Sequence, residues 1–224
     1  MSRPEPLHFI FQHGWGLAPD LWKTWFPFLP EASEKTVVSM GYFGKPSPFP
    51  PLNSGTWNIV VCHSLGLHLL PEAIFPDIHL LVVFGGFRQF HEEAEGTSKR
   101  SRKILRLMLD EFGKSPEKVL GQFHMNCDLD PPEAYKVLAT ELLHRDLIFL
   151  DQHMLDVKVC EPVPKMLLLH GEKDRIVPVT RGEMLHRSLR NSELVTFPDA
   201  GHGLPFTHAA SSVEMVMEKI RPVE

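Results

Sequence analysis

Short apolar runs recur along the chain, each closing near Gly, Ser, Asn or Pro: Leu7–Phe11, Val37–Met40, Ile59–Cys62, Leu80–Phe84, Met166–Leu169 and Leu194–Phe197. Their hydrophobicity is nearly continuous rather than alternating. Parallel strands covered on both faces require that pattern. Between the runs lie helical candidates at Pro19–Phe28, Ser64–Phe75, Thr180–Leu189 and Ser211–Ile220. Alternating strand and helix predicts a doubly wound, mostly parallel α/β sheet of about six strands.

One stretch breaks the alternation. From about Arg88 to Glu161 there is no clear strand, only helical patterns, closed by Pro162 and Pro164. This predicts a helical cap, residues 88–161, inserted into a core made of residues 1–87 and 162–224. The Pro-rich segment Lys45–Gly55 reads as a loop.

Composition narrows the class. A length of 224 residues with 43% hydrophobic content suits one domain with a sizeable core. The net charge of −5 argues against general nucleic-acid binding. Three cysteines do not make a disulfide framework, so a reducing compartment is the simpler expectation. No apolar run is long enough for a signal-peptide core or a membrane span. A soluble cytoplasmic monomer is expected.

The stretch Ile59-Val60-Val61-Cys62-His63-Ser64-Leu65-Gly66 reads as a strand entering a tight turn and then a helix. It fits the nucleophile elbow G-x-S-x-G, with Cys62 in place of the first glycine. Residues two away from the serine must be small, because strand and helix approach closely there. Ser64 is the candidate nucleophile, expected at a helix N-terminus where free N–H groups favour negative charge. Cys62 lies in the strand, where thiols are buried and inert, and is not expected to react.

Met166–Leu169 runs into His170-Gly171-Glu172-Lys173-Asp174, which puts Asp174 just past a strand's carboxyl end. Leu194–Phe197 is followed by Pro198-Asp199-Ala200-Gly201-His202-Gly203. The order Ser, Asp, His is that of hydrolases built on an open α/β sheet. A serine needs a base, and the base needs an acceptor on its far nitrogen. His202 and Asp174 fill those roles, with Asp199 and Glu172 as weaker candidates for the acid. After the first strand, His13-Gly14-Trp15-Gly16 supplies a loop whose Trp15 N–H, with that of Leu65, could meet a developing oxyanion. The Trp15 ring is expected to line the pocket, and His13 to brace the loop.

The segments FQHGWGL, CHSLG, HGEKDRIVP and AGHGLPFTH, with GYFGKPS at Gly41–Ser47, resemble the pimeloyl-[acyl-carrier protein] methyl ester esterases of the α/β-hydrolase superfamily. The resemblance covers most of the core. It implies the α/β-hydrolase fold and a triad of Ser64, Asp174 and His202, with Trp15 and Leu65 lining the substrate oxygen site. It also implies ester hydrolysis without metal or organic cofactor, on a carrier-linked or small ester. The chain departs from the family at Cys62, in its short stretch between Ser47 and Ile59, and in lacking the N-terminal antiparallel strands. A general carboxylesterase, a thioesterase or C–C hydrolase, and a non-catalytic hydrolase-like binding protein remain alternatives.

Lys99, Arg102, Lys103 and Arg106 share one face of a cap helix, with Ile104, Leu105, Met108, Leu109 and Phe112 expected roughly opposite, on the core. This stripe is either a solvated face or a docking site for an acidic partner such as acyl carrier protein. The pair His124 and Cys127 lacks a second pair at metal-binding spacing, so a structural or surface role is expected.

Overall fold

The structure, a computed structural model, describes residues 6–91, 95–131 and 135–220. The expected core and cap ranges also include residues 1–5, 92–94, 132–134 and 221–224, which lie outside the described residues.

The apolar runs form β1 (Leu7–Gln12), β2 (Glu34–Val38), β3 (Trp57–His63), β4 (Leu80–Phe84), β5 (Met166–Gly171) and β6 (Ser192–Phe197). They make one 6-stranded sheet in the order β2-β1-β3-β4-β5-β6. Every neighbouring pair is parallel. Alternate side chains feed two core layers. Phe9, Phe11, Ile59, Val61, Val82, Phe84, Leu167 and Leu169 face one layer, with Trp22 and Trp25 of the 3-10 helix Pro19–Phe28. Ile10, Val60, Cys62, Leu81, Val83 and Leu168 face the other. Each fully buried large side chain contributes roughly 1.5–3 kcal/mol of transfer free energy.

Two elements differ from the sequence expectation. The strand expected at Val37–Met40 lies at Glu34–Val38. As an edge strand it is paired on one side only, so Glu34 and Lys35 can belong to it. The chain then leaves the sheet as Met40 N–H turns to His13 Nε2, 3.1 Å away. The single helix expected over Ser64–Phe75 is two short 3-10 turns, Ser64–Leu69 and Glu72–Asp77. Pro71 separates them, since it has no N–H to continue the ladder and disfavours helical geometry in the residue before it. Ser64 therefore begins a short turn, not a helix with a developed dipole.

Between β4 and β5 the chain forms α1 (Glu95–Phe112), α2 (Pro116–Asn126) and α3 (Thr140–Gln152). The ends of this insertion are tied by Leu155 N–H to Arg88 O at 2.8 Å and by an antiparallel bridge between Gln89 and Met154. In α1, Leu105 and Phe112 are buried as expected, but Ile104 is 57% exposed. It lies about 100° around the helix from Leu105, off the packed stripe. Past β5 come α4 (Val179–Ser188), α5 (Leu204–Thr207) and α6 (Ala209–Ile220).

The strand order reverses between β1 and β3, because β2 follows β1 on one side and β3 lies on the other. In open α/β sheets, ligands bind outside the carboxyl ends of the strands at such a switch point. The segments after β1 and β3 are His13–Gly16 and Ser64–Gly66.

Candidate active site

Ser64 follows β3 directly with φ 53, in the left-handed region a non-glycine residue rarely adopts. The turn closes because Gly66 has no side chain: a Cβ there would lie 2.8 Å from His13 O and 3.1 Å from Gln12 O. Gly14 presses the same contact from the other side, since its Cβ would stand 3.1 Å from Ser64 Cβ. The His13–Gly16 loop and the Ser64 turn are thus in direct contact at the switch point. Cys62 points away into the opposite core layer, fully buried, with Sγ 3.6 Å from Val82 O. Burial raises its thiol pKa, and Cys160 adds to the effect.

Asp174 lies three residues past β5. Its Oδ1 accepts the N–H groups of Ile176 and Val177, both at 2.8 Å. Its Oδ2 accepts from His202 Nδ1 at 2.6 Å. Burial opposes the charged carboxylate. The charge and hydrogen bond of His202, with His170 and the Val177 N–H, outweigh it and hold the Asp174 pKa below the ordinary value. The bond fixes the His202 tautomer, with Nδ1–H toward Asp174 and a lone pair on Nε2. Nε2 is buried and has no hydrogen-bond partner among the described residues. The link from Ser64 Oγ to His202 Nε2 is therefore not made as a hydrogen bond here, as is common before substrate binds.

The imidazole is held in place from three other directions. Gly85, at the end of β4 with φ 55, lies beneath it; a Cβ there would be 3.1 Å from both Cε1 and Nδ1. His63, next to Ser64, donates from Nε2 to His202 O at 2.9 Å, and the two rings are 4.6 Å apart. Burial, then the charge of His202, keeps the His63 pKa well below its ordinary value, so this ring is neutral. From the cap, Phe123 meets the His202 ring edge-on at 6.4 Å.

Other residues singled out in the sequence fall as follows. Asp199 is an exposed partner of Lys173 at 2.8 Å, and Glu172 accepts from Thr196 Oγ1, so neither meets His202 in these contacts. Trp15 is only 4% exposed, and its ring does not line an open pocket as expected. Its Nε1 donates to Leu143 O at 2.8 Å, and its ring packs edge-on against Phe112 and Phe123. Leu65 is buried as well. His13 braces its loop as expected: Nδ1 donates to Gly14 O at 2.9 Å. His124 donates from Nε2 to Gly16 O at 2.7 Å, which accounts for it structurally, and Cys127 caps α2. No group of three or more potential ligands for a metal ion occurs among the described residues. No helix among them is long and apolar enough to cross a membrane.

Lys99, Arg102, Lys103 and Arg106 are all exposed on α1. Arg102 pairs with Asp151 at 3.4 Å. Ile104 and Leu107 are exposed among these cations, at 57% and 58%.

Comparison with known proteins places this geometry. The esterase of Exiguobacterium antarcticum superposes with a TM-score of 0.76 over 98% of this chain and 94% of its own, at 15% identity. A hydrolase from Oleispira antarctica gives 0.74 over 96% of this chain and 91% of its own, at 12% identity. The chain has the α/β-hydrolase fold. A family model described as TAP-like protein matches residues 151–219. The pimeloyl-[acyl-carrier protein] methyl ester esterase of Aromatoleum aromaticum is 24% identical over 99% of this chain and 100% of its own length. The esterase of the same name from Neisseria meningitidis serogroup C is 38% identical over 72 residues, 32% of this chain and 27% of that protein.

Sequence reasoning missed Gly85 and His63. The Gly85-Gly86 pair after β4 is the signal for the first, since a glycine at a strand's carboxyl end marks a close approach. The second had no local signal, because its partner is the carbonyl of a residue 139 positions away.

Proposed function

We propose that this α/β-hydrolase is a serine carboxylesterase in which Ser64 is the nucleophile, His202 the general base and Asp174 its orienting acid. The observation that carries the reading is the 2.6 Å bond from Asp174 to His202 at the rim that also holds the strained Ser64 turn. Ser64 Oγ attacks the ester carbonyl as His202 Nε2 takes its proton. The N–H groups of Trp15 and Leu65 meet the oxyanion. His202 returns the proton to the departing alcohol, leaving an acyl-Ser64 ester. Water, deprotonated by the same imidazole, then releases the acid. No metal or organic cofactor enters these steps.

The finer reading takes the methyl ester of pimeloyl-acyl carrier protein as substrate. It is supported by the names of the relatives above and by the exposed cations of α1, Lys99, Arg102, Lys103 and Arg106, which suit an acidic carrier. A groove of about 290 Å³, lined by Leu21, Phe43, Leu129, Tyr135 and His124 with Asp130 and Lys136, offers largely apolar surface for an acyl chain, and its His124 bonds Gly16 O of the loop after β1. A general esterase, a thioesterase and a C–C hydrolase use the same triad, and a panel of p-nitrophenyl esters, acyl-CoAs and the carrier-linked methyl ester separates them. Replacing Ser64 with alanine should abolish hydrolysis and leave the fold intact; an active Ser64→Ala variant removes the mechanism. The partnerless His202 Nε2 favours one further check, against a non-catalytic binding protein. A fluorophosphonate probe should label Ser64 only if it is activated.

A further inference from the structure

The amide expected to meet the oxyanion after β1 belongs to the Gly14–Trp15 peptide. That peptide is trans, so its N–H and C=O point in opposite directions. Whatever fixes the carbonyl also aims the amide. Gly14 O accepts from His13 Nδ1 at 2.9 Å. The proton is on Nδ1 because Nε2 accepts the Met40 N–H at 3.1 Å. The carbonyl on the far side of Trp15, Gly16 O, accepts from His124 Nε2 at 2.7 Å. The indole of Trp15 is itself tied to Leu143 O on α3. Two of these ties come from the cap insertion.

We propose that His13 and His124 are positioning residues that aim the Trp15 N–H at the substrate oxygen, His13 through the Gly14 carbonyl and His124 through the Gly16 carbonyl. The cap then helps to build the oxyanion site rather than only covering it. This rests on the esterase reading above. Both rings are buried; His13 holds the peptide that carries the Trp15 N–H, and His124 holds the Gly16–Leu17 peptide one residue on, so the loop is fixed on both sides of Trp15. A hydrogen bond to a peptide carbonyl also polarises that peptide and strengthens its N–H as a donor. Burial lowers both pKa values, that of His13 to about 4, so each ring is neutral near pH 7 and its single N–H is committed.

The test compares three variants at His124 using hydrolysis of p-nitrophenyl butyrate and inhibition by a trifluoromethyl ketone, whose hemiketal oxygen occupies the oxyanion position. His124→Phe keeps a ring and loses the N–H. It should lower kcat/KM by about 10- to 100-fold and weaken the ketone by the same factor. His124→Gln places an amide N–H near the position of Nε2 and should restore most of both losses. His124→Asn stops short of Gly16 O and should not. The Gln and Asn pair decides the matter if the Phe variant fails to fold. Unchanged kcat/KM and inhibitor affinity in the Phe or Asn variant, or a loss that Gln does not restore, overturns the proposal. A wild-type chain without esterase activity removes the esterase reading and this inference with it.

Discussion

Acid should destabilise this protein through a histidine that is held neutral. His13 is fully buried, and burial lowers its pKa from 6.5 to about 4, the Gly14 carbonyl opposing only in part. In the unfolded chain the ring takes up a proton below its ordinary pKa, while the folded protein refuses it until about pH 4. More protons are bound unfolded than folded across that window, so stability falls as pH falls through it and is insensitive to this group above it. The full difference is about 3 kcal/mol, and at about pH 4.5 some 2.5 kcal/mol of it is already lost. For a chain of this size that corresponds to a drop in Tm of about 5–10 °C. The Asp174 carboxylate, whose pKa is lowered, loses stability in the same direction, so the wild-type curve alone does not isolate His13. His13→Asn keeps a donor near Gly14 O and does not titrate. Urea melts of both proteins at neutral and acid pH give the comparison. The stability lost between the two pH values should be smaller in the variant by about 2.5 kcal/mol. Equal losses in both proteins would refute the reasoning.

Asp174→Asn should lower kcat by up to about 10⁴-fold with the fold retained, because the imidazole is then held in the wrong tautomer; near-normal turnover would contradict the orienting role. Gly85→Ala forces a side chain against the His202 ring at a positive φ, and should cost about 1–2 kcal/mol together with a clear loss of kcat. Esterase rates and thermal melts check both halves, and unchanged kcat counts against the contact. Tyr42→Phe removes the 2.7 Å donor to the buried Asp146 carboxylate, whose other oxygen pairs with Arg145. That should cost about 1–3 kcal/mol, and an unshifted Tm argues against it.

How much of this was legible in the sequence depended on where each residue's partner lies. The β4 run Leu80–Phe84 is legible to the residue, because all five positions are buried and His79 before it and Gly85 after it mark its ends. Edge strand β2 was displaced, since Glu34 and Lys35 carry no hydrophobic signal. Pro71 was in view and still did not stop the expected helix, although a proline there should have ended it. Asp174 and His202 were placed by one rule, that chemistry gathers after parallel strands, and the structure joins them. The side chain of Trp15 was misread because its partner, Leu143 O, is 128 residues away. Flanking glycines revealed that the backbone approaches something closely, not which way the indole turns.

The His202 loop and the end of α2 fit each other at two glycines. A Cβ on Gly201 would overlap the Asp128 carboxylate, and one on Gly203 would overlap the Cys127 carbonyl. Asp128 itself adopts φ 56 to make that turn. The cap is therefore not an interchangeable module. A chimaera that exchanges the insertion for that of another protein of this fold must carry residues 127–129 along with 200–203, or rebuild that seam. Sequence drift on either side is constrained by the other, whereas α1 and the outer face of α3 lie away from this junction and escape that constraint.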